Sequence, residues 1–283
     1  MDLKDLFIKG SNIPSLPDVF YRFKEAVDDP DTSFDEMGEI VSSDPGLTVR
    51  LLKIVNSPFY GFSSQVETIP HAISIIGSSH LNDLVLSTCI IERFKNISPK
   101  AIDMRLFWEH SIATGLSAKI IARFLDMLNF EGIFVGGLLH DIGRLIICLN
   151  APEEFSEIFL KAETEEISLL EAEKKILGFS HEKVGEELLR RWQLPKIHQE
   201  TVGYHHNPVE APLFDKEAAV VNVANDMTKS MTLGSSGELR SSEYNDKVLG
   251  LLGIENKESL LSIIDEVQDE YQAILETFLT TQN

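Results

Sequence analysis

The residues of this chain with the clearest chemical potential are His140 and Asp141, which stand side by side in an apolar run over residues 134–144. Burying an imidazole beside a carboxylate is costly unless a hydrogen-bond network or a cation compensates. Gly136 and Gly137 lie four residues before the pair, and their lack of side-chain bulk would let another helix come close. The pair indicates either half of a metal site or a buried His–Asp hydrogen bond, and the dipeptide alone favours neither.

Further histidines and aspartates that could bind a metal occur along the chain on predicted helices. Taken singly, each is better explained as a core or solvated residue than as a ligand. Taken together, they form an ordered series of imidazoles and carboxylates: His110, His140, Asp141, His181, His205, His206 and Asp226. Mixed His and Asp ligation suits one or two transition metal ions (Fe, Mn, Zn or Ni) better than Ca or Mg. Two-metal clusters activate a water and clamp a phosphoryl group.

Predicted helices must position these residues. A helix over residues 101–128 places His110 on its inward face. Because only a short turn separates it from the helix that carries His140, the two helices are expected to be neighbours. Ser180 suits an N-cap, which would put His181 in the first turn of the next helix.

The remaining candidates lie near helix ends or edges. A helix over residues 197–206 carries His205 and His206 at its C-terminal end, where protonated histidines would also complement the helix dipole. A helix over residues 217–230 carries Asp226 at the edge of its apolar stripe, a position that is usually solvated. His198, His71 and His80, and the acidic face of the helices after Pro152, are expected at the surface.

Helical periodicity occurs in almost every segment, without sustained alternation of period two, so the predicted fold is all-α with many helices. Residues 1–95 are expected to form a lobe of five short helices, and residues 96–232 a helical core with the metal site. Residues 233–242 are rich in Gly and Ser and predict a linker. Residues 243–283 would form a helical extension. The spacing of its apolar residues favours packing on the protein's own core, with a homodimer contact as the alternative.

Composition limits the function classes. The chain of 283 residues carries 45 acidic and 25 basic residues, a formal net charge of −20. This charge disfavours nucleic acid and anionic membranes as partners. Cys89 and Cys148 are interpreted as reduced core thiols. The first residues show no signal-peptide pattern, and the chain has no uninterrupted run of about 18 apolar residues. The sequence therefore predicts no membrane span and a cytoplasmic location.

The motifs resemble a known family. The middle His–Asp pair, in the context Leu-Leu-His-Asp-Ile-Gly, resembles the HD superfamily of metal-dependent phosphohydrolases. Blocks in the first portion are similar to the HDOD family, the HD-related output domains: Ile13-Pro14-x-Leu16-Pro17, Ser43-Asp44-Pro45-Gly46-Leu47-Thr48, Leu51-Leu52-x-x-Val55-Asn56-Ser57-Pro58-x-Tyr60-Gly61 and Ile69-x-x-Ala72-Ile73-x-x-Ile76-Gly77. The resemblance runs over residues 13–230. It implies an all-α HDOD fold from bacterial signalling proteins that are usually considered non-catalytic.

This chain departs from many HDOD members by keeping ligand-type residues. All seven candidates fall on positions similar to the metal ligands of the related HD-GYP phosphodiesterases of cyclic di-GMP. The Gly-Tyr-Pro signature of those enzymes is absent, because Asn207 and Pro208 follow the histidine pair. Arg144 replaces their lysine and could still contact a phosphate. Leu106 replaces an acidic residue that supports a third metal. The resemblance therefore implies two metals rather than three, and weakens the case for cyclic di-GMP.

Three hypotheses follow, in decreasing order of preference. The first is a cytoplasmic HDOD signal-transduction module whose one or two metals are structural or sensory, with other signalling proteins as partners. The second is an active metal-dependent phosphohydrolase or phosphodiesterase acting on a nucleotide or cyclic dinucleotide, a phosphorylated small molecule. In it Asp141 would be catalytic and Arg144 would steady the phosphate. The third is a metal-free scaffold with a buried His–Asp network.

Overall fold

The computed structural model describes residues 2–8, 13–95, 102–128, 130–237 and 244–279. Within these ranges the regular structure is helical and contains no strand. The helices are α1 Leu3–Ile8, α2 Asp18–Asp28, α3 Phe34–Ser42, α4 Pro45–Val55, α5 Ile69–Ile76, α6 Ser78–Lys95, α7 Met104–Phe124, α8 Phe130–Leu139, α9 Ile142–Asn150, α10 Pro152–Thr164, α11 Leu169–Leu177, α12 His181–Arg191, α13 Lys196–Gly203, α14 Asp215–Ser230, α15 Asp246–Leu251 and α16 Ser259–Leu279, with a 3-10 turn at Pro208–Glu210. The predicted all-α class is confirmed.

Contacts within the chain divide it into two compact units. The larger unit consists of Met1–Pro14 and Ile97–Val267, and the smaller unit of Ser15–Asn96 and Gln268–Asn283. The smaller unit contains the five predicted helices α2 to α6. The larger unit contains every candidate metal ligand. It also contains two short helices: α1, which the sequence patterns did not predict, and α15, which lies within the predicted helical extension.

Local sequence signals explain the helix starts of the smaller unit. The Ser33 hydroxyl accepts a hydrogen bond from the backbone N–H of Glu36, and the Glu36 carboxylate accepts one from the backbone N–H of Ser33. This reciprocal pair is a capping box. Asp44 caps α4 by accepting from the backbone N–H of Leu47, with Pro45 at the first helical position. These caps satisfy N–H groups that would otherwise lack partners.

The Asn-Ser-Pro block of the smaller unit is a structural clamp. The Asn56 amide donates to the carbonyl oxygens of Leu52 and Val66 at 2.8 Å each. Its carbonyl oxygen accepts from the backbone N–H of Val66 at 2.8 Å. One side chain thus ties the end of α4 to the loop that follows it, and Gly61 supplies a positive φ of 64° in that loop.

Glycines set the close helix crossings of the larger unit. A Cβ on Gly137 would lie 2.8 Å from the Cα of Gly115 on α7, and one on Gly136 would lie 2.6 Å from the Thr201 hydroxyl on α13. Both faces of α8 therefore need glycine, as the sequence suggested. Gly143 of α9 likewise packs directly on the backbone of α12.

The helix that was expected to contain His140 and Asp141 is interrupted at that pair. α8 ends at Leu139 and α9 begins at Ile142, with Asp141 at φ −99° and ψ 6°. The apolar run continues across the break because both helices are buried on all sides, which removes any periodic sign of the turn. The prediction of one continuous helix was wrong.

An apolar window long enough to cross a membrane does exist, contrary to expectation. The window Gly132–Asn150 has a mean hydropathy of 1.7, and 94% of it is buried inside the protein. Ile69–Ile76 and Ser78–Phe94 pass the same test only as a pair, which is bent by 119°. Core helices of soluble proteins also meet this criterion.

The last helix packs on the protein's own chain. Leu260, Ile263 and Val267 are buried in its first part, and Ile274 and Phe278 in its second. This confirms the preferred interpretation of its apolar seam. Three predicted parts lie outside the described residues: Ala101, where the helix over residues 101–128 was expected to begin, residues 238–242 of the linker, and residues 280–283 of the helical extension.

Candidate metal centre

The Asp141 carboxylate lies among histidines from several helices. Its Oδ2 is 3.2 Å from His140 Nε2, and its Oδ1 is 3.1 Å from His181 Nε2 and 4.0 Å from His205 Nε2. The turn between α8 and α9 presents the carboxylate, while the start of α12 and the chain after α13 bring the two histidines to it. Asp141 thus directs one oxygen toward each of two sets of imidazoles.

Ligand-type atoms form two groups, each with all atoms within 4.8 Å of one another. One group is His110, His140 and Asp141, and the other is His181, His205 and His206. Six of the seven sequence-predicted candidates are therefore brought together. Among the described residues, neither group includes Asp226, which is buried on α14 at 7% exposure.

Outer hydrogen bonds orient three of these rings. The Nδ1 atom of His140 donates to the Gly137 carbonyl oxygen at 2.7 Å, and that of His205 to the Val202 carbonyl oxygen at 2.9 Å. The Nδ1 atom of His181 lies 2.6 Å from a Glu173 carboxylate oxygen. Because each Nδ1 is engaged from outside, each Nε2 faces the interior of the site, as in metal-binding histidines.

Several inward atoms have no hydrogen bond. These buried atoms are the Nε2 of His110, His140 and His206 and both carboxylate oxygens of Asp141. His140 Nε2 and Asp141 Oδ2 are close but not aligned for hydrogen bonding. Buried polar atoms left in this way cost free energy, and a cation would relieve that cost. Imidazole nitrogens around a carboxylate fit a transition metal ion rather than Ca or Mg.

Electrostatics keep most of the imidazoles neutral. Burial, followed by the neighbouring His140, lowers the pKa of His110 to about 3. Burial and adjacent histidines also lower the pKa values of His205 and His206 well below the ordinary value. Neutral imidazole is the form that binds a metal. Three rings are therefore ready to act as ligands at neutral pH.

Asp141 and His181 are instead held in their charged forms. Burial raises the pKa of the Asp141 carboxyl, but the Arg144 guanidinium and His140 outweigh it and hold that pKa well below its usual range. Burial lowers the pKa of His181, but the Glu173 carboxylate and Asp141 raise it to about 9 overall. Without a metal, an ionised Asp141 therefore faces a protonated His181, and a metal ion that binds to this ring takes the place of that proton.

Glu173 is a site residue that the sequence interpretation missed. It belongs to a helix rich in Glu and Lys that was expected to expose its charges, yet it is 2% exposed. The detectable signal was its position, four residues after Leu169 and four before Leu177, both of which are buried. An acidic residue on an apolar stripe indicates a buried partner.

Arg144 is fully enclosed, at 1% exposure. Its guanidinium lies 3.4 Å from Asp141 Oδ2 and 3.6 Å from Glu173 Oε1. It also donates to the Ser236 hydroxyl at 2.9 Å and to the Ser236 carbonyl oxygen at 3.2 Å. Arg144 therefore holds two buried carboxylates and a loop, rather than extending into open space.

The start of the predicted linker is part of the site. The backbone N–H of Ser235 donates to the Leu106 carbonyl oxygen at 2.9 Å, and Gly234 packs against the backbone of His110. Gly234 has a φ of 66°, and a Cβ there would overlap α7. Residues 233–237 therefore lie over the first turns of α7, a role that a Gly- and Ser-rich composition does not reveal.

Two predictions for α13 need correction, namely where the helix ends and how exposed His198 is. α13 ends at Gly203, so His205 and His206 follow the helix instead of lying within it. Glu182 fixes this turn by accepting from the backbone N–H of His206 at 3.0 Å. His198, which was expected at the surface, is 1% exposed.

Comparisons with known proteins identify the family and the fold of the chain. The chain matches the HDOD domain family over residues 13–208. A structure of an HDOD domain protein of unknown function from Geobacter sulfurreducens has a TM-score of 0.81 and 26% identity, covering 98% of both chains. A proposed metal-dependent phosphohydrolase from Shewanella amazonensis SB2B has a TM-score of 0.70 and 21% identity, covering 98% of this chain and 96% of its own.

One curated protein is similar to this chain in sequence. It is an uncharacterised protein of Treponema pallidum (strain Nichols), 23% identical over 263 residues, which is 93% of this chain. The chain spans 50% of the length of that relative. With the family match covering more than half of its residues, the chain belongs to the HDOD domain family.

Proposed function

We propose that this chain is an HDOD signal-transduction module of the bacterial cytoplasm that binds one or two transition metal ions. The observation that best supports this proposal is the orientation of His140, His181 and His205. In each ring Nδ1 is engaged by an outer group, and Nε2 faces Asp141. A structural or sensory metal is the preferred role, because the ligands are buried and Arg144 is already held by the protein. Its partners would be other signalling proteins.

The residues that would hold metal fall into two subsites. Subsite A consists of His110, His140 and Asp141 Oδ2, and subsite B of His181, His205, His206 and Asp141 Oδ1. Asp141 would be shared between them. Asp226 stays a candidate ligand, since it is buried on α14 at 7% exposure. When bound, a metal pair supplies an activated water and a clamp for phosphoryl oxygens.

A metal-dependent phosphohydrolase acting on a nucleotide or cyclic dinucleotide is the second candidate. The shared position of Asp141 favours it, because two-metal phosphatases use a bridging carboxylate of this kind. A structurally similar protein also bears the name of a proposed metal-dependent phosphohydrolase. In this role Asp141 would hold the metal pair. Arg144 would have to leave Ser236 before it could steady a phosphate.

Elemental analysis of metal content per chain, after anaerobic purification, tests the proposal. One or two equivalents of iron, manganese, zinc or nickel would support it, and their loss in an Asp141→Ala variant would locate them at this site. Metal-loaded protein would then be assayed on a broad panel of phosphoesters. Turnover favours the enzyme, stable metal without turnover favours the module, and absence of metal rejects both in favour of a metal-free scaffold.

A further inference from the structure

The three oriented histidines differ in the group that engages their outer nitrogen. His140 and His205 donate to neutral backbone carbonyls. His181 instead faces the carboxylate of Glu173 at 2.6 Å. Subsite A has a carbonyl-bonded ring in His140, and subsite B has one in His205. Of these three rings, His181 alone has a carboxylate partner, and it belongs to subsite B.

Glu173 is rigidly placed for this contact. Its Oε2 also accepts the backbone N–H of His181 at 2.8 Å, so the same oxygen fixes both the ring and the start of α12. Its Oε1 lies 3.6 Å from Arg144 Nε. The carboxylate is 2% exposed, so solvent does not weaken these contacts as it would at the surface.

A carboxylate partner changes how an imidazole binds a metal. It fixes the tautomer and ring direction and makes the inner nitrogen a stronger electron donor than a carbonyl partner does. The effect is larger where water is excluded, because the local dielectric is low. The two subsites are therefore unequal in ligand strength, although both contain histidines and share Asp141.

We propose that Glu173 is a positioning residue that acts through His181 and makes subsite B the tighter of the two metal subsites. The inference rests on the proposed metal-binding function. The first metal ion enters at subsite B, and the second enters at subsite A, where the outer partner of His140 is a neutral carbonyl. The Glu173 carboxylate itself touches no metal.

Metal titration of the full chain tests this assignment. Protein stripped with a chelator is titrated with Co(II), and binding is followed by calorimetry and by the visible absorption of the bound ion. Wild type is expected to bind in two steps. Glu173→Gln keeps an acceptor for the His181 backbone but removes the charge, and it should weaken the tight step about 10- to 100-fold and shift its absorption. The weak step should change little.

Two further variants assign the steps and control for folding. His110→Asn removes a ligand of subsite A, and it should abolish the weak step while leaving the tight one. Glu171→Gln alters a neighbouring carboxylate of α11 that forms an exposed capping box, where Gln also serves. It should leave both steps unchanged. Glu173→Asp retains the charge at a longer distance and should fall between wild type and Glu173→Gln.

Distinct outcomes overturn the inference. If the affinity of the tight step is unchanged in Glu173→Gln, then Glu173 has no role in metal affinity. Equal weakening of both steps would assign Glu173 to folding alone. Loss of the tight step in His110→Asn would place that step at subsite A and so overturn the proposed order of binding. Failure of wild type to bind any Co(II) would reject the proposed function itself, and this result differs from the others because it does not depend on a variant.

Discussion

Gly143 on α9 lies directly against the backbone of His181 on α12. A Cβ at position 143 would overlap the His181 carbonyl oxygen and would lie 2.8 Å from the backbone nitrogen of Gly185. This approach sets the distance between α12, which begins with His181, and α9, which directly follows Asp141. The contact between the Asp141 carboxylate and the His181 ring therefore depends on a glycine that has no chemistry of its own.

A Gly143→Ala substitution should consequently damage both stability and metal binding. The added methyl must push α9 away from α12, and overpacking of this kind costs about 1–3 kcal/mol in the free energy of unfolding. Metal affinity should fall because His181 moves away from Asp141. Urea unfolding and Co(II) titration would measure the two effects.

Gly250→Ala is the matched control. Gly250 lies in α15, and a Cβ there would meet nothing within 4 Å. It should stabilise the protein by about 0.5–1 kcal/mol, since alanine is the better helix former. If Gly143→Ala were as well tolerated as this control, the close crossing would not position the site.

The pH dependence of the metal-free protein gives a second prediction. The pKa of His110 is lowered to about 3, and those of His205 and His206 are lowered well below the ordinary value. Their stabilising contribution is present above the unfolded pKa of about 6.5 and is lost as the pH falls below it. Each ring contributes a slope of up to about 1.4 kcal/mol per pH unit.

His181 acts in the opposite direction, because its pKa is raised to about 9. Its contribution is fully present below the unfolded value and is lost as the pH rises through about 9. Stability with a chelator present should therefore be greatest near pH 6.5 and should fall on both sides. Urea unfolding at about pH 5, 6.5 and 9 would measure this, and a steady rise to pH 9 would contradict it.

A third prediction concerns the Asn-Ser-Pro block. Asn56→Ala removes two donated hydrogen bonds and one accepted bond that tie α4 to the following loop. The expected loss is about 1–2 kcal/mol, because these bonds are partly exposed. Asn56→Asp keeps the acceptor and should lose less. Ser63→Ala, at an exposed position of the same loop, should change little, and thermal unfolding would compare the three variants.

Asp141 was predicted as a site residue from the sequence, whereas Glu173 was not. The ordered histidines and aspartates predicted six residues that do converge, because ligand-type side chains in apolar helices are rare and easy to recognise. Glu173 was missed because an acidic, Lys-rich helix resembles a solvated one, and its burial depends on packing with other helices. The same limit applied to His198, which is 1% exposed rather than at the surface.

Helix caps depend on residues close together in the sequence, so sequence patterns indicate them well. The Ser33 capping box and the Asp44 cap need only neighbouring residues, so both motifs are visible in the sequence itself. The turn at Asp141 was not predicted, because the helices around it are buried on every side. The contact of Ser236 with Arg144 was also missed, because it joins residues 92 positions apart. Such contacts leave no pattern in a single sequence.

The last prediction distinguishes a structural from a ligand-contacting Arg144. This side chain is 1% exposed and lies beside the carboxylates of Asp141 and Glu173. Arg144→Met would leave Asp141 without its main counter-charge, and breaking a buried ion pair in this way costs about 3–5 kcal/mol. A bound metal replaces the missing positive charge, so the rise in Tm on adding Mn(II) should be larger in the variant than in wild type.

The exposed Arg190→Met variant is the control, because Arg190 pairs with Glu187 at the surface and its loss should shift Tm little. Differential scanning fluorimetry with chelator and with Mn(II) would measure all three proteins. A metal-induced shift in Arg144→Met equal to that of wild type would mean that Arg144 and the metal do not compensate the same carboxylate. That result would favour the enzyme hypothesis, in which Arg144 contacts a phosphorylated ligand.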